Sequence, residues 1–381
     1  MRVGVICGGR SAEHAISLSS ARSVVEALLG NGHQVEVVYI TPHGEWQRAA
    51  STALLEGDLD RTHRLDQTRT GTAAGPPTDS ADSAADGLTL VHRDGSTQLV
   101  RIGSGASLAT VDVVFPVLHG PHGEDGAVQG MLRSADVPFI GADVLGSAVA
   151  MDKDVAKRLL QQAGIAVARG RSLDSSPDPD VCAAIVDELG LPLFVKPANL
   201  GSSVGVSKVT QRDALAAAVE LALGYDDKVV VEEAIVGREL EVSVLGNRER
   251  RASVVGEVVT STNHEFYDYE AKYLDDDGAQ LIIPAHLPDD VAERVRELAC
   301  EACRVLCVDG MARADFFLPA NGQPVVNELN TIPGFTSISM YAKLWEASGL
   351  SFGSLLEELA SLAAERHGRQ AGRRIDHRDT P

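Results

Sequence analysis

Two short apolar runs near the C-terminus each carry polar residues at alternate positions: Arg313 and Asp315 in the first, Glu328 and Asn330 in the second. Alternate residues of a β-strand share a face. If the two runs pair across the Asn321-Gly322 turn, three oxygen ligands converge beside one guanidinium. Two carboxylates and an amide oxygen are hard donors of the kind that hold Mg²⁺, an ion that shares its shell with substrate phosphates. The bland alternative is a cross-strand salt bridge on an exposed face. The flanking Phe316, Phe317, Val325 and Val326 speak against it, because they are residues of a covered sheet.

A second constellation is the stretch from Lys196 to Gly205, KPANLGSSVG. Its small residues expose backbone N–H groups that can wrap a phosphate. It lacks the lysine of a G-x-x-x-x-G-K-[ST] loop, and Gly8-Gly9 does not complete a dinucleotide fingerprint. Lysine usage adds to the phosphate reading: seven lysines stand against twenty-seven arginines, so arginine supplies the routine positive charge. Lys153, Lys196 and Lys272 all lie at turns or loop starts, where a compact ammonium suits phosphate. Glu13-His14 follows the first apolar run, and His119-Gly-Pro-His-Gly-Glu124-Asp125-Gly126 follows another, both at the kind of strand end where α/β sheets bind ligands. The second could be read as a metal site, but its glycines more simply make a tight turn. Phe266 to Tyr273, FYDYEAKY, is a polar stretch rich in tyrosine and reads as a closing lid.

The elements that must position these groups alternate between strand and helix. Val3–Cys7, a helix over 17–29 and Val35–Ile40 form a right-handed parallel crossover. A hairpin turns at Arg93-Asp94-Gly95, and the apolar run 111–118 predicts one continuous strand covered on both faces. Helices are expected over 152–163, 179–189, 213–223 and 289–306, with strands between them and an antiparallel-rich second half. The helix at the end is expected to fray into an arginine-rich tail after Glu365. Residues 68–87 contain no large apolar side chain and read as a solvated insertion. Cys300, Cys303 and Cys307 have the i, i+3, i+7 spacing of one buried helix face rather than of a metal site. The 381 residues carry 34 basic and 54 acidic side chains, a net charge of −20, which disfavours nucleic acid as a partner. No apolar run is long enough for a membrane span, and the first residues lack the apolar core of a signal peptide, so a cytoplasmic location is expected.

Taken in order, GGRSAEHAISLSSA, HGPHGEDGAVQG, MDK, VKPANLGSSVGVSKV, EFYDYEAKY, ARADFFL and NELNTIPGFTSISM resemble the D-alanine–D-alanine ligase family of the ATP-grasp superfamily. They run from residue 8 to residue 340. The resemblance implies an α/β ATP-grasp fold of three domains, 1–148, 149–235 and 236–366, followed by a tail, 367–381. ATP would lie between the central and C-terminal domains. Lys153, Lys196 and, on lid closure, Lys272 would contact its phosphates, with Ser202 and Ser203 in the loop around them. Glu232 and Glu239 would hold the adenine and ribose, and Glu233 would also bind ATP. Asp315, Glu328 and Asn330 would hold two Mg²⁺ ions, with Mn²⁺ able to substitute. Glu13 would hold the ammonium of the first D-alanine and hydrogen-bond to Ser202 and Tyr273, with His119 nearby. Ser339 and Met340 would bind the carboxylate of the second D-alanine, and Arg313 with the Gly334 N–H would stabilise the oxyanion.

The activity implied is ATP-dependent formation of D-alanyl-D-alanine through an acyl phosphate, for peptidoglycan precursors, by a homodimer. The nearest alternative is the same fold with D-lactate or D-serine as acceptor, since one methyl or hydroxyl is discriminated by subtle pocket contacts. The intact FYDYEAKY favours an amine nucleophile. Ala342 stands where the family pattern has proline.

Overall fold

The computed structural model describes residues 1–59, 87–260 and 279–373. Almost all of the 68–87 insertion, and the expected lid with Lys272 and Tyr273, lie outside the described residues. Among the described residues no helix is long and apolar enough to cross a membrane.

β1 (Arg2–Gly8) and β2 (Gln34–Ile40) are joined by the helix His14–Gly30 and pair in parallel, with Val5 opposite Val37. The helix starts three residues earlier than its apolar periodicity suggests, with Glu13 at its N-cap, which brings His14 into the first turn. β3 (Trp46–Ala49) closes one edge. β4 (Leu88–Arg93), β5 (Ser96–Arg101) and β6 (Ser107–Val111) form a separate antiparallel sheet, and Asp94 and Gly95 take left-handed conformations in its first turn as the hairpin requires. β7 (Val113–Pro116) returns to pair in parallel with β1, giving the order β3-β2-β1-β7.

The expected single strand over 111–118 is therefore two. Asp112 turns the chain from one sheet to the other: its N–H donates to Arg2 O at 2.8 Å and its carboxylate accepts from Arg2 N at 2.7 Å. A polar residue that pairs with a neighbouring backbone can end a strand that hydrophobicity alone would continue.

The middle of the chain forms β8 (Gly170–Leu173), β9 (Leu193–Pro197), β10 (Ser207–Val209) and β11 (Val229–Glu233), antiparallel in the order β10-β9-β11-β8. The helices Pro179–Leu189 and Leu215–Leu223 cover one face, and Ile185, Leu189, Leu215 and Val219 meet Leu193, Val195, Val229 and Val231 there. A five-stranded antiparallel sheet follows, β14-β13-β12-β15-β16, from β12 (Arg238–Gly246), β13 (Arg251–Thr260), β14 (Ala279–Ile282), β15 (Gly310–Leu318) and β16 (Val325–Asn330). Its core packs under the helix Asp289–Val305 through Val295, Leu298, Ala299 and Ala302. Cys303 is buried in this core, but Cys307 lies beyond the helix end, exposed and at φ 59°, so the three cysteines do not share one face.

The helices Met340–Ala347 and Phe352–Ala371 return to the first sheet, where Tyr341, Trp345, Leu355 and Leu359 join Val5, Leu18, Val25 and Phe115 in one core. The last helix does not fray after Glu365. Arg366 is buried, donates to Gly141 O and to Phe139 O at 2.6 Å, and stacks 4.5 Å above the Phe139 ring. Its side chain fixes the helix to the 139–141 turn. Replacing Arg366 with methionine leaves two buried carbonyls without donors, and we expect a loss of about 2–4 kcal/mol in urea unfolding. An unchanged denaturation midpoint would show that the contact is dispensable.

Candidate active site

Glu13 sits at the start of the helix His14–Gly30 but makes no side-chain cap bond to it. Its carboxylate turns instead across the cleft, where it accepts a hydrogen bond from Ser202 Oγ in the Lys196–Gly205 loop. Two glycines leave room for it. A Cβ on Gly120 would lie 2.4 Å from Glu13 Oε2, and one on Gly201 would lie 3.3 Å from the same atom. Gly120 is also left-handed at φ +73°, so side chains are excluded there on two grounds. Ser202 and Ser203 themselves have φ of 49° and 57°. Consecutive left-handed non-glycine residues cost energy and cluster at ligand-binding loops.

His119 follows β7 and is buried. Its Nδ1 donates to Ile332 O at 2.9 Å, and its Nε2 accepts from Ser20 Oγ at 3.0 Å; Ser20 Oγ in turn accepts from Phe335 N at 3.1 Å. Burial lowers the imidazole pKa, which suits the neutral ring that this pattern needs. Glu124 completes the link. One oxygen accepts from Gly120 N at 2.9 Å and the other from Ile332 N at 3.0 Å. Burial, with Glu13 close by, raises its pKa to about 8. Asp125 accepts from His122 N and Ala127 N, both in its own turn. The 119–126 motif is thus a clasp between the first sheet and the Thr331–Phe335 segment. Ser20, Glu124 and Ile332 were not singled out for this role. Glu124 was visible in the motif, but its partner lies 208 residues away.

The pairing expected of the C-terminal strands is present. On β15 and β16 Arg313 stands opposite Asn330 and Asp315 opposite Glu328. Arg313 grips Asp315 with Nε and Nη2, each at 2.7 Å, and its Nε lies 2.9 Å from Glu241 on β12, a partner the sequence did not single out. Asn330 donates to Asp315 at 3.0 Å. Lys153 donates to Leu200 O at 2.6 Å and lies 3.5 Å from Glu328. Lys196 lies 2.8 Å from Glu232, whose other oxygen meets Lys157. Burial opposes the charge on Glu232, but the two ammoniums outweigh it and hold the carboxyl down to about 2. Glu233 is occupied otherwise, accepting from Arg169 N at 2.9 Å and Arg169 Nε at 2.8 Å.

Lys153, Lys196, Ser202, Ser203, Glu232, Glu233, Glu239, Asp315 and Glu328 all line one cavity of about 440 Å³ between the middle and C-terminal sheets, with Phe194, Ile235 and Phe317 among its apolar walls. A slot with apolar walls and a row of ammoniums and carboxylates along one side is shaped for a nucleotide. Ser339 stands at the N-cap position of the helix Met340–Ala347 without a side-chain cap bond, and its Oγ accepts instead from Thr336 N at 3.0 Å; Met340 is buried. A Cβ on Gly334 would approach Ser339 Oγ to 3.3 Å, which places Gly334 beside that helix start.

Two family models match consecutive parts of the chain: D-ala D-ala ligase N-terminus over residues 2–142 and D-ala D-ala ligase C-terminus over residues 159–361. The chain belongs to the D-alanine–D-alanine ligase family. It is 48% identical over 368 residues to the D-alanine–D-alanine ligase A of Chromobacterium violaceum, covering 96% of each chain. Among solved structures, the D-alanine-D-alanine ligase from Coxiella burnetii is 34% identical with a TM-score of 0.81, over 97% of this chain and 96% of that one. The VanG D-Ala:D-Ser ligase from Enterococcus faecalis is also 34% identical, with a TM-score of 0.79 over 95% of this chain and 99% of that one. The fold is that of the ATP-grasp ligases, which use ATP with a divalent metal.

The residues of this ligase fit such a metal. Among the described residues no three His, Cys, Asp or Glu side chains gather to enclose an ion. Asp315, Glu328 and the Asn330 amide instead offer hard oxygens on one strand pair, at the edge of the cavity. A sparse oxygen set beside a phosphate site is the arrangement expected for Mg²⁺, which keeps part of its shell for water and phosphate.

Proposed function

We infer that this ligase joins two D-alanines, with ATP cleaved to ADP and phosphate, to give D-alanyl-D-alanine for peptidoglycan precursors. The observation that carries the reading is the Glu13–Ser202 hydrogen bond, because it joins an ammonium-binding carboxylate to the phosphate loop. The first D-alanine, held by its ammonium at Glu13, thereby presents its own carboxylate toward the γ-phosphate. The division at 148/149 and 235/236 sets the nucleotide between the second and third domains, with Lys153 and Lys196 at its phosphates, Glu232 and Glu239 at adenine and ribose, and Lys272 arriving with the lid.

The first carboxylate oxygen attacks the γ-phosphorus, the bond to the β-phosphate oxygen breaks, and ADP leaves. Asp315, Glu328 and Asn330 would hold the divalent metal, two Mg²⁺ ions in this reading and replaceable by Mn²⁺, and the metal would supply positive charge against the phosphates. The D-alanyl phosphate is open to hydrolysis, so the FYDYEAKY lid with Tyr273 serves to exclude water. The amine of the second D-alanine, its carboxylate at Ser339 and Met340, then attacks the acyl carbon. The oxyanion is stabilised by Arg313 and the Gly334 N–H, phosphate departs, and the amine loses one proton. A homodimer is the assembly expected.

The test is competition. The protein is given ATP, Mg²⁺ and D-alanine with equimolar D-serine and D-lactate, and the products are identified by mass. The reading expects D-alanyl-D-alanine to dominate. A dominant D-alanyl-D-serine or an ester would keep the ATP chemistry and overturn the acceptor.

A further inference from the structure

Lys157 has no place in the reading so far, yet it is one of only seven lysines and is buried beside the nucleotide cavity. It lies one turn after Lys153 on the helix Lys153–Gln162, so the two ammoniums leave the same helix face. Lys153 reaches Leu200 O in the phosphate loop, while Lys157 reaches Glu232. Glu232 is almost wholly buried, at 3% exposure, and its second oxygen lies 2.8 Å from Lys196.

The charges of this triad bear on how strongly the cavity can hold an anion, beside Lys153 and Glu328, which lie 3.5 Å apart in the same cavity. Glu232 with Lys196 alone would be a closed ion pair, with no net charge to offer an anion. Adding Lys157 makes two ammoniums to one carboxylate and leaves one positive charge in excess. Lys196 lines the cavity, whereas Lys157 lies behind Glu232 and does not. We propose that Lys157 is a positioning residue for the nucleotide: it compensates Glu232 from behind, so that the ammonium of Lys196 stays available to phosphate rather than being neutralised by its neighbour. Glu232 can then remain an ionised acceptor at the cavity wall without cancelling the phosphate site. The inference rests on the nucleotide reading above and adds a residue to it.

Burial lowers the Lys157 pKa against the pull of the Glu232 carboxylate it is bonded to, a partner that favours the ammonium. Charge-assisted contacts to phosphate are strong where water is partly excluded. The loss should therefore fall on the phosphates and spare the nucleoside.

The experiment measures Kd for adenosine and for ATP with Mg²⁺, without D-alanine, on the full chain, and takes the ratio of the two. For K157M we expect the ratio of adenosine Kd to ATP Kd to fall about tenfold. For K157M/E232Q, which removes one charge of each sign, it should return to within about threefold of the wild type. Removing Glu232 leaves Lys196 without its carboxylate but restores the net charge of the triad, and the adenosine Kd in the ratio absorbs any lost contact of Glu232 to the nucleoside, so the double variant also serves if K157M alone folds poorly. An unchanged ratio in K157M would overturn the proposal. So would a ratio in the double variant no better than in K157M, the outcome expected if Lys157 only fills space. Failure of the wild type to bind ATP at all would instead overturn the nucleotide reading.

Discussion

Replacing Arg313 with methionine should lower kcat by about 10²–10³-fold, the loss typical of one oxyanion donor. Arg313 is fixed at both sides before any substrate arrives, by two bonds to Asp315 at 2.7 Å and by Glu241 at 2.9 Å. A donor held in this way needs no reorganisation as negative charge develops. The same substitution strips Glu241 and Asp315 of their shared cation, which should also loosen the Asp315 side chain. Arg313→Lys should recover little, since an ammonium cannot bind Asp315 in a fork. Steady-state rates at saturating ATP and D-alanine are the check. A kcat within about fivefold of the wild type would remove Arg313 from the transition state.

Glu13→Gln should act on binding rather than on the chemical step. The substitution keeps the shape but removes the charge that we propose pairs with the ammonium of the first D-alanine. A charge-assisted hydrogen bond is worth about 1.5–3 kcal/mol, so KM for the first D-alanine should rise about 10- to 100-fold. KM for ATP should change far less, because the link to the phosphate loop runs through Ser202 Oγ, which can still donate to an amide oxygen. An equal rise in both constants would mean that Glu13 mainly holds the loop in place.

The parts of this site that could be read from sequence are those built from neighbours in the chain. The alternation Arg313-x-Asp315 and Glu328-x-Asn330, with a turn of defined chemistry between the runs, is enough to fix a strand pair and its shared face, and β15 and β16 carry it in that register. The Lys196–Gly205 loop was legible because its residue types are those that expose backbone. What stayed hidden depends on contacts distant in sequence. Glu124 and Ile332, Lys157 and Glu232, and Arg366 and Phe139 are separated by 208, 75 and 227 positions. Each of these pairs buries a polar group that sequence periodicity treats as ordinary surface or turn. The same reason explains the misread tail: an arginine in a charged C-terminal stretch looks solvated until a carbonyl pair from another part of the chain is found beneath it. Asp112 broke an apolar run for a similar cause, its partner being Arg2 on the neighbouring strand.

The central claim is that the first substrate's own carboxylate is phosphorylated, because Glu13 and Ser202 bring the amino-acid site and the phosphate loop together. It can be tested by labelling the carboxylate oxygens of D-alanine with oxygen-18, running the reaction with ATP and Mg²⁺, and analysing the released phosphate by mass. Transfer through D-alanyl phosphate predicts one labelled oxygen in each phosphate formed with dipeptide. Phosphate free of label, at a normal rate of dipeptide formation, would contradict it.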